Sequence, residues 1–542
     1  FDERNIVPQG YLMAKEHYSV PEAMERFKKE GLVFSPHEEI VSNFYGEILD
    51  LENQGRNGIW ARFLKNAFAP TIADRFDFVV GNPPWIRWGY LSKEYRDATL
   101  PLWQNYGLFS LKGHAARLGG GEKDFSMLFT YTAIDYYLKK NGKLGFLITQ
   151  EVYKSKGAGE GFRRFQLGDK EHFKVLKAHD LVTVQPFEKA ANKTAMIVVK
   201  KDSVTNYPVP YTVWKRKKGV GRIPTDSGLK DALALLQKQK LLAQPIGSPT
   251  GSWQTVSEKQ TGLKALVGEN AYKARLGARA EPYGVFWLRI KQVLSDGNLI
   301  VSNLAKRGKR VIPQVEETIE PDLIYPFVTG ADIERWGTAP AQYVLLSQDP
   351  KKREPYPVSD LKKNLPRTYG YLLKFKDILL SRGSKTVREF AERTAFYAMY
   401  GIGDYTVARY KVVWKRMATD IIAAVISQNK TPYGYKMVIP SDTTAIFSLD
   451  NEKEAHYLCA IINSNPVREF VKSYSSAGRG FGAPSVMNHI GIPKFDEKNR
   501  LHQNLAELSK SLHNLKSRNN DPEIEKLEEE VDNAVIKLFG IK

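Results

Sequence analysis

The chain has 542 residues, which is more than one hydrophobic core usually organises, so two or three domains are expected. Lys and Arg number 80 against 60 acidic residues, and the net charge of +20 favours a polyanionic partner such as nucleic acid. The single cysteine, Cys459, excludes a disulfide framework and a cysteine-rich zinc site. The nine histidines show no metal-ligand spacing, so no metal is predicted, and no apolar run approaches the roughly 20 residues of a membrane span.

The first informative element along the chain is an apolar run at Phe76–Gly81, which Asn82-Pro83-Pro84-Trp85 follows directly. Aromatic and β-branched residues in a continuous run predict a buried parallel strand, which the glycine and two prolines end. A loop at the carboxyl end of a parallel strand is where open α/β folds bind ligands. The four residues 82–85, here called the tetrad, are therefore a candidate binding loop, with an ordinary strand-to-loop turn as the alternative.

The residue types of the tetrad suit methylation of an amino group on a base. An exocyclic adenine amine is a poor nucleophile because its lone pair is delocalised into the ring. The Asn82 amide oxygen and the Pro83 carbonyl can accept the amine hydrogens, while Pro83 and Pro84 hold these acceptors in fixed directions. Trp85 offers a flat surface for a base flipped out of a duplex. All four residues are catalytic candidates.

The elements downstream of the tetrad continue the α/β pattern. Residues 123–138 predict an apolar helix, and residues 142–149 predict the next strand. Strand, helix and strand in this order form a βαβ unit.

Residues 81–85, with these surroundings and the loop at 157–165, resemble the catalytic motif of the gamma-class adenine-N6 DNA methyltransferases of restriction-modification and phage-defence systems. The resemblance implies a Rossmann-like domain, S-adenosylmethionine as methyl donor, duplex DNA as partner and a bacterial or archaeal cytoplasm. It also implies that Phe187 stacks on the face of the flipped adenine opposite Trp85. Such a sandwich would offset part of the cost of base flipping, at about 1–3 kcal/mol per stacked base.

In this family a glycine-containing loop upstream of the tetrad binds most of the cofactor, and no such loop occurs before residue 82. Because the chain begins at Phe1, we expect it to be the C-terminal part of a longer polypeptide. Gly119-Gly120-Gly121 predicts a flexible connector instead. Residues 46–51 resemble the motif whose acidic residue positions the cofactor or target base, so Glu47 and Asp50 are cofactor-binding candidates, with a surface turn after a strand as the alternative.

The predicted domains are a catalytic region (1–218), a helical connector (219–260), a target-recognition domain (261–498) and a C-terminal helical hairpin (499–542). The basic run 214–219 is interpreted as a hinge, residues 228–242 as a Leu-rich helix and residues 245–251 as a linker. In the hairpin, Leu505, Leu508, Leu512 and Leu515 recur at helical spacing. Asp521-Pro522 then predicts the start of a second helix carrying Ile524, Leu527, Val531 and Leu538.

The proposed recognition domain contains scattered basic residues that can hold phosphates or read guanine edges. The DNA-binding candidates are Arg275, Arg279, Lys411, Lys415, Arg416 and Arg479. Trp287, Trp336 and Trp414 are predicted to lie in the core.

The predicted fold class is α/β: part of a Rossmann-like methyltransferase domain, then a mixed α+β recognition domain and a C-terminal helical segment. The predicted function is site-specific adenine-N6 methylation of DNA, with any nuclease lying outside this chain. A DNA-recognition fragment without catalysis, and a methyltransferase acting on RNA or on protein glutamine, are the alternatives.

Overall fold

The computed structural model describes residues 9–10, 12–32, 38–56, 74–109, 123–155, 159–168, 171–187, 193–224, 226–308, 310–475, 478–517 and 521–541. The predicted connector at Gly119-Gly120-Gly121 lies outside these residues. In the described part of the chain, no helix is both long and apolar enough to cross a membrane.

A mixed eight-stranded sheet forms the centre of the first half of the chain. Its strands are β1 (Phe76–Gly81), β2 (Leu138–Thr149), β3 (Gln166–Leu167), β4 (Glu171–Asp180), β5 (Thr194–Lys201), β6 (Val209–Arg216), β7 (Leu236–Pro245) and β8 (Trp253–Val256). The order is β1-β2-β5-β4-β6-β7-β8, with β3 paired to β4. The helices are α1 (Val20–Lys29), α2 (Glu38–Asn53), α3 (Lys93–Asn105), α4 (Phe125–Thr132), α5 (Glu151–Lys154) and α6 (Leu229–Ala234).

The predicted βαβ unit is present. β1 and β2 pair in parallel, and α3 and α4 lie between them along the chain. Asp124 caps α4, because its side chain accepts a hydrogen bond from the Ser126 backbone N–H at 2.9 Å. The helix continues into a π-helical turn at Ala133–Tyr137, after which β2 begins at Leu138, four residues before the predicted strand.

The prediction that β1 is buried is wrong. Phe78 and Val80 are 71% and 83% exposed, and only Val79 is half-buried. The physical reason is that no described element packs over Phe78 and Val80; β1 also lies at the edge of the sheet, where β2 is its one strand partner among the described residues. The apolar composition of β1 is typical of a strand covered on both faces, and here those faces are open.

The predicted connector 219–260 is also corrected. Residues 236–245 form β7, and its residues 236–243 pair antiparallel with β6, so the helix covers only Leu229–Ala234. The predicted hinge at 214–219 begins inside β6, and the predicted linker 245–251 is the turn between β7 and β8. The Leu-rich pattern was wrongly assigned to a helix because short apolar runs fit either structure.

The second half of the chain contains a six-stranded sheet, a four-stranded sheet and several two-stranded ribbons. Its strands are β9 (Arg275–Leu276), β10 (Trp287–Val293), β11 (Leu299–Asn303), β12 (Glu316–Ile319), β13 (Ile324–Val328), β14 (Ile333–Glu334), β15 (Gly337–Thr338), β16 (Gln342–Leu345), β17 (Gln348–Asp349), β18 (Glu354–Pro355), β19 (Tyr410–Lys415), β20 (Met417–Ala418), β21 (Ala423–Ile426), β22 (Gln428–Thr431), β23 (Gly434–Met437), β24 (Ile439–Pro440), β25 (Thr444–Leu449) and β26 (Gly478–Arg479). The six-stranded order is β12-β11-β10-β16-β13-β24, and the four-stranded order is β21-β19-β25-β9.

Helices cover these sheets. They are α7 (Tyr283–Phe286), α8 (Val358–Asn364), α9 (Pro366–Leu373), α10 (Lys376–Leu380), α11 (Lys385–Arg393), α12 (Glu452–Asn463), α13 (Asn465–Tyr474), α14 (Arg500–Lys516) and α15 (Asp521–Phe539). The predicted helical hairpin is confirmed as α14 and α15, whose Leu505, Leu508, Leu512 and Val531 are buried in one core with residues of α12. Trp287, Trp336 and Trp414 are all buried, as predicted.

Candidate active site

The tetrad follows β1 directly and alternates between exposed and buried positions. Pro83 is buried, whereas Asn82 and Pro84 are exposed. The Asn82 side chain makes no hydrogen bond to the residues that the structure describes, so its amide is open to a ligand. Gly81 is needed for close packing before the loop, because a Cβ atom there would lie 3.1 Å from the Phe146 ring.

The Trp85 ring is fixed to the neighbouring strand. Its Nε1–H donates to the Leu147 carbonyl oxygen at 3.2 Å, and the side chain is half-buried. Since Leu147 lies near the carboxyl end of β2, this bond holds the indole against the edge where the two parallel strands end. The ring therefore has a defined position before any ligand binds.

The chain immediately after the tetrad is tied to the start of α4. The Phe125 N–H donates to the Ile86 carbonyl at 2.8 Å, and the Trp88 N–H donates to the Lys123 carbonyl at 2.8 Å. Burial raises the pKa of Asp124 to about 6, although its hydrogen bonds within the N-cap act in the opposite direction. These contacts hold the loop from both ends, because β1 precedes it and α4 anchors its continuation.

Phe187 is brought to Trp85 although 102 positions separate them in the sequence numbering. The ring centroids are 5.4 Å apart and the planes meet at 80°. A base stacked between parallel rings needs roughly twice the ~3.4 Å spacing of stacked bases. The two predicted stacking residues are therefore adjacent, in an edge-to-face pair and without the spacing of a sandwich.

A buried polar cluster that the sequence did not indicate lies beside this pair. The Asp180 carboxylate, at the end of β4, accepts hydrogen bonds from the Gln150 amide at 2.5 Å and the Tyr211 hydroxyl at 2.9 Å. Asp180 is 7% exposed. Asp180 ends a strand that already contains several charged residues and histidines, so a carboxylate seven residues before Phe187 was only a weak signal.

Lys154 extends the same cluster to the second half of the chain. Its ammonium donates to the Thr255 hydroxyl at 2.9 Å and to the Ser473 carbonyl at 2.5 Å. Burial lowers the pKa of Lys154 to about 7, and the nearby Asp180 charge partly opposes this shift. The polar cluster thus reaches from the end of β4 to α13.

The two cofactor-binding candidates lie on α2, a helix that precedes β1 in the chain. Glu47 and Asp50 are exposed on α2, whose buried residues Tyr45 and Ile48 belong to a small core shared with α1. The structure therefore has a helix where the alternative interpretation had a turn after a strand. Within the described residues, no hydrogen bond or ion pair joins either acid to the tetrad.

An apolar groove of about 460 Å³ runs beside β1. Its lining includes Phe78, Val80, Leu147, Met196 and Val198. These side chains supply no acceptors for the hydroxyl or amino groups of a nucleoside-like methyl donor. These five side chains are therefore not suited to bind the polar groups of such a donor.

Four of the DNA-binding candidates are accessible. Arg279 is exposed and pairs with Glu281 at 3.2 Å, and the Arg275 guanidinium lies 4.8 Å from the centre of the Tyr405 ring. Lys415 and Arg416 are half-buried at the end of β19 and just beyond it. For Arg479 the structure describes only the backbone, in β26, which pairs with β20.

The assignment of Lys411 to DNA binding does not fit the structure. Lys411 is fully buried in β19, and its ammonium donates to the Ala408 carbonyl at 2.6 Å. Burial lowers its pKa to about 7. Because the side chain is fully buried and its ammonium is bonded to a backbone carbonyl, it does not reach the surface where a phosphate could bind.

Residues 18–184 match the Eco57I restriction-modification methylase family. This segment contains the tetrad, β1, β2 and Asp180, and it ends three residues before Phe187. The match confirms the predicted resemblance to restriction-modification methyltransferases. No curated protein matches the chain.

Among solved structures, the type IIL restriction-modification enzyme MmeI in complex with DNA is similar to this chain, with 12% identity and a TM-score of 0.51. The match covers 88% of this chain and 56% of the MmeI chain, so this chain spans little more than half the length of MmeI. A nuclease-deletion mutant of the type ISP enzyme LlaGI has 10% identity and a TM-score of 0.38, covering 83% of this chain and 42% of that one. At this identity the likeness to MmeI concerns the fold, and the predicted α/β class with a Rossmann-like methyltransferase region is confirmed.

Proposed function

We propose that this chain is the catalytic and target-recognition part of a site-specific DNA methyltransferase acting on N6 of adenine, within a restriction-modification or phage-defence system. The observation that carries the proposal is the tetrad at the end of a parallel strand, with an open Asn82 amide and with Phe187 against Trp85. The match of residues 18–184 to a restriction-modification methylase family supports it. Any nuclease would lie outside this chain.

Asn82 and Pro83 would act on the amine of the flipped adenine. Their oxygens would accept its two N–H hydrogens and favour a tetrahedral nitrogen whose lone pair points away from the ring plane. S-adenosylmethionine would supply the methyl group. These two residues would hold the amine nitrogen in a tetrahedral geometry, with its lone pair directed at the methyl group.

The ring pair must open before a base can enter. Trp85 is held by its hydrogen bond to Leu147, whereas Phe187 is half-buried at the end of a turn. We therefore expect Phe187 to be the ring that turns from its edge-on orientation to lie parallel to the base. The present edge-to-face contact would then be the closed state of the site, which a flipped base replaces.

The accessible basic residues would contribute to DNA binding. Arg275, Arg279, Lys415 and Arg416 lie on strands β9 and β19 or directly beside them, and β25 pairs with both strands. The net charge of +20 supports a polyanionic partner. Phosphate contacts by these residues would position the duplex, and sequence choice would require contacts to base edges.

A methylation assay tests the proposed reaction. The complete polypeptide is incubated with labelled S-adenosylmethionine and equal amounts of duplex DNA, RNA or a glutamine-containing protein, and the products are analysed by mass spectrometry. We expect N6-methyladenine in duplex DNA at specific sites. Label in RNA or protein alone would support a different methyltransferase, and DNA binding without transfer to any substrate would support a recognition module.

Phe187→Ala is expected to lower the rate of methyl transfer by about 5- to 150-fold, which corresponds to the loss of about 1–3 kcal/mol of base stacking. Phe187→Tyr, which keeps an aromatic face, is the matched control and should stay within a few-fold of the wild type. Single-turnover rates on a duplex with one target site provide the measurement. An equal loss in both variants would contradict a stacking role.

A further inference from the structure

The turn that carries Phe187 is closed by several hydrogen bonds. The Leu181 carbonyl accepts from the backbone N–H groups of Val184 and Gln185 at 3.0 and 3.1 Å. Gln185 has a φ of 49°, in the left-handed region that non-glycine residues seldom adopt. The Thr183 hydroxyl donates to the Trp214 carbonyl at 2.8 Å, which attaches the turn to β6.

Asp180 holds the beginning of this turn. Its Oδ1 accepts from the Val182 N–H at 3.0 Å, while its Oδ2 accepts from the Gln150 amide and the Tyr211 hydroxyl. A buried carboxylate that receives three donors is fixed in both position and orientation. Because one oxygen faces the turn and the other faces the sheet, Asp180 sets the angle at which the chain leaves β4.

The same carboxylate connects Phe187 to the strand that holds Trp85. Gln150 follows directly after β2, and its backbone N–H donates to the Lys193 carbonyl at 2.7 Å. Trp85 is bonded to Leu147, three residues earlier. Trp85 is therefore anchored on β2, while Phe187 lies on the turn that follows β4. The Asp180–Gln150 hydrogen bond joins the ends of these two strands.

Lys154 lies close to the same carboxylate. It is buried one helical turn beyond Gln150, and the Asp180 charge favours its charged form, which opposes the lowering of its pKa by burial.

We propose that Asp180 is a positioning residue that sets the place of Phe187 relative to Trp85, and thereby the geometry of the base-binding site. The inference rests on the function proposed above. It adds a residue that touches neither ring and acts through the turn 181–187. An error of about 1 Å in such a support can lower a catalytic rate by roughly 100-fold.

Asp180→Asn is the test variant because it keeps the size of the side chain. The Asn amide oxygen can accept either from the Val182 N–H or from Gln150 and Tyr211, but not from both sides. On the other side its NH₂ group takes the place of a carboxylate oxygen and cannot accept a hydrogen bond. Asp135→Asn is the matched control, since it makes the same change at a carboxylate that accepts from the Tyr106 hydroxyl at 2.7 Å and, among the described residues, has no hydrogen bond to the turn 181–187.

With the complete polypeptide, Asp180→Asn is expected to lower kcat by about 10- to 100-fold while the KM for duplex DNA changes less than about 3-fold. Hydrogen exchange should accelerate in residues 181–187 and stay unchanged in β2. Asp135→Asn should keep kcat within about 3-fold of the wild type. A wild-type kcat in Asp180→Asn, an equal loss in both variants, or faster exchange throughout the sheet would each overturn the inference.

Failure of the proposed function gives a different result. In that case the wild-type protein itself transfers no methyl group to DNA. The hydrogen-exchange comparison does not depend on methylation, so it still decides whether Asp180 fixes the turn.

Discussion

Asn82→Ala is expected to lower the rate of methyl transfer to duplex DNA by about 100- to 1,000-fold or more, with unchanged affinity for the duplex. Removal of one preorganised polar group that acts on the reacting atoms commonly costs this much. The Asn82 side chain is exposed and makes no hydrogen bond to the described residues, so its loss should leave the fold intact. Single-turnover methylation and equilibrium DNA binding, both at one fixed salt concentration, provide the measurements.

Two controls sharpen this prediction. Asn82→Asp keeps an acceptor oxygen at the same position, so it should retain more activity than Asn82→Ala. Asn429→Ala changes an exposed asparagine of β22 and should leave both rate and affinity unchanged. Full turnover by Asn82→Ala would remove Asn82 from the reaction, and a parallel loss of DNA affinity would indicate a binding role instead.

The tetrad could be predicted from sequence because its signal is local. An apolar run, a glycine and two prolines define where a strand ends, and the structure places β1 and the loop at these residues. The neighbouring parallel strand followed from the same reasoning. The adjacency of Phe187 and Trp85 followed from a resemblance to known proteins, because residues so far apart give no local signal of contact.

Other features depend on partners that the sequence does not show. Phe78 and Val80 are exposed because no described element packs over them, and a pattern of apolar residues cannot reveal whether a covering layer is present. Residues 236–242 became a strand because β6 pairs with the whole segment, with β8 pairing from Leu242 onward, and tertiary pairing outweighed helix propensity. Lys411 is fully buried although Lys415 of the same strand is only half-buried, so its burial depends on what packs over that one position.

The hydrogen bonds around Asp180 could not be predicted from the sequence either. Asp180 and Gln150 come from the ends of β4 and β2, and Tyr211 comes from β6. Each residue alone is an ordinary polar side chain in the sequence. Only the order of the strands, with β5 between β2 and β4, brings their polar groups to one place.

The C-terminal core is expected to lose stability as the pH falls below about 6.5, because it contains two neutral histidines. Burial lowers the pKa of His456 to about 3 and that of His513 to about 4. The His513 Nε2 accepts a hydrogen bond from the Val425 N–H at 2.9 Å, and its Nδ1 lies 2.7 Å from the Ser509 carbonyl. A proton on Nε2 would remove the acceptor and leave a buried N–H without a partner.

The sign follows from the lowered pKa values. Between pH 6.5 and about 4 the two histidines are protonated in the unfolded chain but stay neutral in the folded core. The stability present above pH 6.5 is therefore lost as the pH falls. Each histidine contributes at most about 1.4 kcal/mol per pH unit, which gives roughly 3 kcal/mol for the pair between pH 6.5 and 5. The ring centroids lie 4.8 Å apart, so two charged rings would also repel each other.

Denaturant unfolding of the protein at pH 6.5 and pH 5 measures this loss. His513→Gln can still accept from the Val425 N–H but does not titrate, so the difference in unfolding free energy between the two pH values should shrink by about half. His17→Asn, which changes an exposed histidine outside this core, should leave the difference unchanged. The same pH dependence in wild type and His513→Gln would show that His513 is not the group that takes up the proton. A loss that persists in His513→Gln but disappears in His456→Gln would assign it to His456, whose Nδ1 lies 3.1 Å from the Ser509 hydroxyl.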